Sequence, residues 1–162
     1  MSQDPKAFRN ALGQFATGVT VVTTLDKDGN KIGMTANSFS SVSLDPMLVL
    51  WSIAKNCKVF NEFNDAKHFA IHVLKASQMD VSNQFASACE DRFANIETTE
   101  GAGGVPVLND YCAVFECEME ARHDGGDHVI LVGKVVNFEN RGEDPLVFHA
   151  GRYADIQQPA TA

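Results

Sequence analysis

The chain has 162 residues and a formal charge of −8, from 13 Lys and Arg against 21 Asp and Glu. An acidic chain without a basic block is a poor candidate for binding a phosphate backbone. Its 44% apolar and 21% charged residues set it among folded proteins rather than disordered ones. The longest apolar runs, 47–51 and 111–115, have five residues each, too short for a transmembrane helix. The opening MSQDPKAFRN carries no apolar signal core. The expected location is the cytoplasm, and the length suits one domain over 1–162.

The first expected element is a helix. Asp4 can cap it, Pro5 fits its first turn, and Phe8, Leu12, Phe15 and Ala16 share one apolar face before Gly18 ends it. The text then turns to β. Residues 19–25 and 31–37 flank the turn signal Asp28-Gly29-Asn30 and predict a hairpin. Residues 47–53, opened by Pro46, read as a buried strand. A short helix is expected over 56–63, with Cys57, Phe60 and Phe63 on one side. Another strand follows at 68–74, then a helix over 77–85 with Ser77 as its cap.

Residues 97–106 (ETTEGAGGVP) read as a glycine-rich loop. The clearest strand is 113–122, where Ala113, Phe115, Cys117, Met119 and Ala121 alternate with Val114, Glu116, Glu118, Glu120 and Arg122. A turn at 123–126 returns the chain along 127–138. A short strand at 146–149 precedes Gly151-Arg152-Tyr153, and a disordered tail is expected from about 157. About seven strands and three helices without a βαβ rhythm point to a mainly β fold, an antiparallel barrel with flanking helices.

Several familiar motifs are absent. GAGGVP puts Pro106 where the third glycine of GxGxxG belongs, and it follows a polar stretch rather than a strand. There is no P-loop, GxSxG or HExxH. His68 and His72 have the helical metal spacing, but HFAIHVL reads as a strand, so half-buried strand histidines are expected and no metal. Cys57, Cys89, Cys112 and Cys117 form no CxxC and read as reduced, small apolar core residues.

Two stretches stand above this background. Gly33-Met34-Thr35-Ala36-Asn37-Ser38-Phe39-Ser40-Ser41-Val42-Ser43 crowds small polar groups at a strand end, with Gly33 and Ala36 leaving room for a flat group; taken alone, the stretch reads first as a Ser-rich turn. Ser52-Ile53-Ala54-Lys55-Asn56 precedes the expected short helix. Free amides at a helix start beside Lys55 and Lys58 suit a phosphate; a plain cap with solvated lysines fits the same spacing.

Together these pieces resemble a family. The chain is similar to the small flavin reductases of two-component flavin-dependent monooxygenases, above all the reductase partners of phenol and 4-hydroxyphenylacetate hydroxylases. The likeness runs from Phe8 to Tyr153 through FRNALGQFATGVTVVTT, GMTANSFSSVSLDPMLVLWSIA, GGVPVL, Gly126-Asp127-His128 and DPLVFHAGRY, in that order. The resemblance implies an FMN-binding split β-barrel, a homodimer, and use of NADH or NADPH to reduce FMN or FAD for a separate monooxygenase, with no nucleic acid and no membrane. It implies flavin contacts from Met34, Thr35, Ala36, Asn37 and Ser38, of which Thr35, Asn37 and Ser38 line the ring. Ser52, Ile53 and Ala54 would approach its other side, and Lys55, Asn56 and Lys58 the phosphate. Asn83, Phe85 and Ala86 would meet the far part of the flavin, while His128, the catalytic candidate, and Tyr153 would flank the nicotinamide. Many members carry Ser or Thr where this chain has Cys57. Hydride transfer between stacked rings needs orientation rather than a strong general acid, so a site of small polar groups suffices.

Three other readings compete: a non-catalytic flavin carrier or redox sensor of the same fold, an oxidase acting on a pyridoxine-like substrate, and an interaction module. The oxidase requires a basic pocket for its substrate's phosphate, and the arginines, Arg9, Arg92, Arg122, Arg141 and Arg152, are widely scattered.

Overall fold

The computed structural model describes residues 3–160. Helix α1 spans Pro5–Leu12, with the Asp4 carboxylate accepting the Lys6 amide at 3.0 Å. It is shorter than its apolar pattern suggests. Gly13 caps it, and the next residues are drawn into a strand, β1 (Thr17–Gly18), which pairs with β11 (Val147–His149). β12 (Arg152–Ala154) completes this three-stranded sheet.

The main sheet has seven antiparallel strands. They are β2 (Thr20–Leu25), β3 (Lys31–Ala36), β4 (Ser40–Leu44), β5 (Met47–Ala54), β6 (His68–Val73), β9 (Ala113–Gly125) and β10 (His128–Asn140). Their order is β3-β2-β6-β9-β10-β5-β4. The fold is mainly antiparallel β, as expected.

Asp26 builds the expected β2–β3 turn: its carboxylate accepts the Asp28 and Asn30 amides at 2.9 and 2.8 Å and the Asn30 side chain at 3.0 Å. β4 was not expected; the Ser-rich stretch read as a turn is an edge strand against β5. The turn between β9 and β10 is tighter than expected, with His123 and Asp124 still paired to Ile130 and Val129. The β9–β10 register shifts twice, with Glu120 of β9 the extra residue at the first and Val136 of β10 at the second. Between them Gly133 lets Phe69 and Cys117 press against the strand, because a Cβ there would stand 2.5 Å from the Phe69 ring and 2.9 Å from Cys117.

Around the sheet lie α2 (Phe60–Asn64) and α3 (Met79–Ala86). α3 is preceded by a 3-10 turn, Ala76–Gln78, closed by Gln78 Oε1 on the Lys75 amide rather than by Ser77. The glycine-rich segment is a small hairpin rather than a loop: β7 (Thr98–Glu100), a 3-10 turn and β8 (Pro106–Leu108). That hairpin explains a departure from the expected alternation on β9. Val114 and Glu116 are buried beneath it, and Glu116 accepts the Ala102 amide at 2.7 Å. After β12, the described residues contain no regular element; 161–162 of the expected tail lie outside them.

The central core gathers Val49, Trp51 and Ile53 from β5 around Phe63 and Phe69, with the Trp51 and Phe63 rings edge-to-face at 5.0 Å. β5 buries only this alternate set, not the whole run read as a buried strand. Cys112 and Cys117 are buried as expected, Cys57 is half-buried and Cys89 is exposed.

His72 is completely buried rather than half-buried. Its Nδ1–H donates to the Val21 carbonyl at 2.9 Å, and its Nε2 accepts the Leu108 amide at 3.0 Å. The ring ties β6 to β2 and to the β7–β8 hairpin. Burial disfavours the imidazolium and pushes the pKa down from 6.5 to about 4. The unfolded chain therefore binds a proton before the folded chain does. Stability from His72 is complete above pH 6.5 and is lost as pH falls toward about 4, up to about 3 kcal/mol. Urea unfolding between pH 7.5 and 4.5 should show this loss, and His72→Gln, which keeps a donor and an acceptor but does not titrate, should flatten the profile. Parallel profiles for the two proteins would disprove it.

Candidate functional site

The segment 33–38 meets three other parts of the chain. At Gly33, a Cβ would lie 2.6 Å from the Phe85 ring and 3.0 Å from Phe93, so α3 lies directly on β3. Met34 Sδ stands 4.0 Å from Cys57 Sγ, which places the turn after β5 beside β3. Thr35 Oγ1 donates to the Ser82 carbonyl of α3 at 2.6 Å. Ser38 Oγ donates to the Ser52 carbonyl at 3.0 Å and accepts the Ser52 amide at 2.9 Å. A single hydroxyl thus imitates a strand partner and stitches the β3–β4 crossing to β5.

β5 brings in the next group. Ser52, Ile53 and Ala54 pair with Ile130, Val129 and His128 of β10, so His128 stands beside Ala54. The Lys55 amide donates to the Asp127 carbonyl at 2.9 Å, and its ammonium pairs with Asp124 at 2.5 Å. Asp127 accepts a hydrogen bond from His128 Nδ1 at 2.7 Å, leaving Nε2 as the unengaged nitrogen. That bond lowers the Asp127 pKa.

Tyr153 closes the cluster from the small sheet. Its hydroxyl donates to Asn83 Oδ1 at 2.8 Å and lies 2.7 Å from Ser82 Oγ.

The structure therefore brings together Met34, Thr35, Ala36, Asn37 and Ser38 with Ser52, Ala54 and Asn83, and sets His128 beside them through β5. Asn37, Asn83 and Ala86 are exposed, whereas Thr35 and Ser38 are half-buried. Two of the expected contact residues turn their side chains inward. Ile53 and Phe85 are fully buried; Ile53 belongs to the core and Phe85 packs edge-to-face on Phe93. Both support the site from behind because their side chains fill the space under it.

The expected helix-start seat at 52–56 also changes. α2 begins only at Phe60, and the Cys57 amide bonds to the Ala54 carbonyl, so 54–57 is a turn. Lys55 is engaged with Asp124. Lys58 instead lines a cleft of about 240 Å³ with Lys31, Gly33, Cys89 and Arg92. A larger cleft, about 740 Å³, is lined by Asp26, Glu62, Asp65 and His68 and includes none of the expected site residues.

Sequence reasoning passed over two residues. Ser82 is 1% exposed and carries bonds from both Thr35 and Tyr153; its spacing from buried Phe85, i to i+3, marks the inward face of α3. Arg92 donates from Nε to the Ser87 carbonyl at 3.0 Å and from Nη1 to the Gly33 carbonyl at 2.9 Å. No local pattern announces that role.

This donor set fits a flavin. Small hydroxyls and an amide side chain at 35–38 suit a flat ring edged with donors and acceptors, and Lys58 beside the cleft suits an anionic tail.

The flavin reductase like domain model matches residues 12–157, and the chain belongs to that family. A protein named "Probable flavin reductase" from Rhizobium meliloti (strain 1021) is 50% identical over 150 residues, 93% of this chain and 48% of the relative. The reductase component of the flavin-dependent trigonelline monooxygenase of Acinetobacter baylyi is 47% identical over 148 residues, 91% of this chain and 48% of that protein. The chain thus spans about half the length of both curated relatives. Among solved structures, the NADH:FAD oxidoreductase of Streptomyces globisporus C-1027, in complex with NAD and FAD fragments, superposes with a TM-score of 0.90. It shares 34% identity, and the match covers 99% of each chain.

Proposed function

We propose that this protein is an NAD(P)H-dependent flavin reductase that passes a hydride from nicotinamide to FMN or FAD and supplies reduced flavin to a separate monooxygenase. The observation that carries the reading is the convergence of 34–38 with Ser52, Ala54 and Asn83 around a surface rich in small polar groups. The family membership supports it, as do the NADH:FAD activity named for the Streptomyces relative and the monooxygenase partnership named for the Acinetobacter one. We extend the same reading to cytoplasmic residence, where all four unpaired thiols stay reduced.

When bound, the flavin supplies the redox chemistry. The protein's part is to bind and orient. Thr35, Asn37 and Ser38 would hold the ring, with Ser52 and Ala54 along its other side. Lys58, with Asn56 nearby in the chain, would meet the phosphate, and Lys55 would serve mainly to fix the turn through Asp124. His128, oriented by Asp127, would position the nicotinamide.

A second copy of the chain completes this reading. Helix α1 buries no residue, and Phe8, Leu12 and Phe15 are 67%, 59% and 80% exposed. Leu44 on the edge strand β4 is 92% exposed. Apolar side chains left this open favour a symmetric partner, and we assign α1 and β4 to a homodimer interface.

Three outcomes are expected. Purified protein should oxidise NADH or NADPH only when FMN or FAD is present; no flavin-dependent oxidation at saturating flavin would refute the enzyme, and bound flavin left yellow under anaerobic NADH would point to a carrier. His128→Ala should lower kcat/KM for the nicotinamide about tenfold, about 1.4 kcal/mol of transition-state stabilisation, with flavin affinity unchanged in a separate titration; stopped-flow reduction at several NADH concentrations decides it. Sedimentation at micromolar concentration should give twice the 17.6 kDa of one chain, and the double variant Leu12→Asp, Phe15→Asp should sediment as a monomer.

A further inference from the structure

Tyr153 lies on β12, outside the seven-stranded sheet that carries most of the candidate site. Its ring packs edge-to-face on Phe148 at 5.4 Å and against the cluster containing Val19, Leu74 and Phe85. Its hydroxyl reaches the other way, to α3, where it donates to Asn83 Oδ1 at 2.8 Å and meets Ser82 Oγ at 2.7 Å. A phenol has one proton. With that proton on the bond to Asn83, Ser82 is the donor in the second contact.

Ser82 is gripped from both sides. Its hydroxyl is held by Tyr153, and its carbonyl accepts Thr35 Oγ1 at 2.6 Å. The chain Tyr153–Ser82–Thr35 thus runs from the small sheet through α3 to β3, while the branch Tyr153–Asn83 fixes the one exposed amide side chain on this turn of the helix. α3 has only eight residues, so it depends on such outside ties for its placement.

We propose that Tyr153 is a positioning residue for the flavin rather than a nicotinamide contact: through Ser82 and Asn83 it sets α3 against Thr35 and so shapes the flavin-binding surface. This rests on the flavin reductase reading above. It departs from the role the family resemblance implies for Tyr153, because the hydroxyl is already committed to α3.

Tyr153→Phe keeps the ring and its stack on Phe148 and removes only the hydroxyl. Flavin binding, followed by quenching of FMN or FAD fluorescence without any turnover, should weaken about tenfold, the consequence of losing one partly buried and one exposed hydrogen bond. The nicotinamide KM should stay the same, and the urea midpoint should show the variant folded. Because Tyr153 acts partly through Asn83, the double variant Tyr153→Phe, Asn83→Ala should lose less flavin affinity than the sum of the two single losses, the remainder running through Ser82. Unchanged flavin affinity in Tyr153→Phe, a loss confined to the nicotinamide KM, or additive losses in the double variant would overturn the assignment. Failure of the wild-type protein to bind any flavin would instead overturn the reductase reading on which it rests, and the assignment with it.

Discussion

A side chain at position 33 has no room. The Phe85 ring occupies the place where its Cβ would point, and Phe93 stands behind. The absence of one methyl group lets α3 lie flat on β3, and the neighbouring hydrogen bonds depend on that closeness. Thr35 reaches the Ser82 carbonyl at 2.6 Å only because the helix backbone has come down onto the strand. Arg92 reaches the Gly33 carbonyl itself at 2.9 Å, which draws the segment after α3 onto the same spot. Since Phe85 is consumed in this contact, the surface left for a ligand is made by the residues on either side of it.

What remains is a surface held by short polar side chains. Ser38 replaces a backbone partner for both the amide and the carbonyl of Ser52. Such half-buried groups would each cost on the order of 1–3 kcal/mol if left unpaired, so the crossing from β3 to β4 is fixed in one position. Small hydroxyls can do this and still leave open space above them, which a Leu or Phe in the same place would fill. The seam needed to hold the chain together and the site needed to admit a flat ring are therefore built from the same residue types.

The sequence announces the parts of this arrangement whose partners are near. The β2–β3 hairpin reads from Asp28-Gly29-Asn30 because its turn bonds are local. The β9–β10 hairpin reads from alternation, although the alternation fails at Glu116, where the β7–β8 hairpin covers what should be the outer face. The crowded polar stretch from Gly33 to Ser43 reads as exceptional, but not as a strand, because β4 is made by its pairing with β5. Ser82 and Arg92 stay silent for the same reason: Thr35 and Gly33, which give them meaning, lie 47 and 59 residues away. Family resemblance supplies the ligand; it does not separate the side chains that face it from Ile53 and Phe85, which stand behind.

Charge adds the last constraint. With a net charge of −8, the chain as a whole repels the anionic flavins and dinucleotides it is proposed to take. Attraction has to come from short range, where burial and close contact outweigh a field screened within about 10 Å at 0.1 M salt. Most cations near the site are already committed. Lys55 is paired with Asp124, Lys31 donates to Thr98 Oγ1 at 2.7 Å, and Arg92 is bound to two carbonyls. Lys58 forms no ion pair among the described residues, and it lines the cleft beside Gly33. An anionic tail would then be held by few charges, with most of the specificity carried by the uncharged surface at 35–38. A reductase that hands its flavin on to a partner needs that balance, because a tail clamped by several free cations would leave slowly.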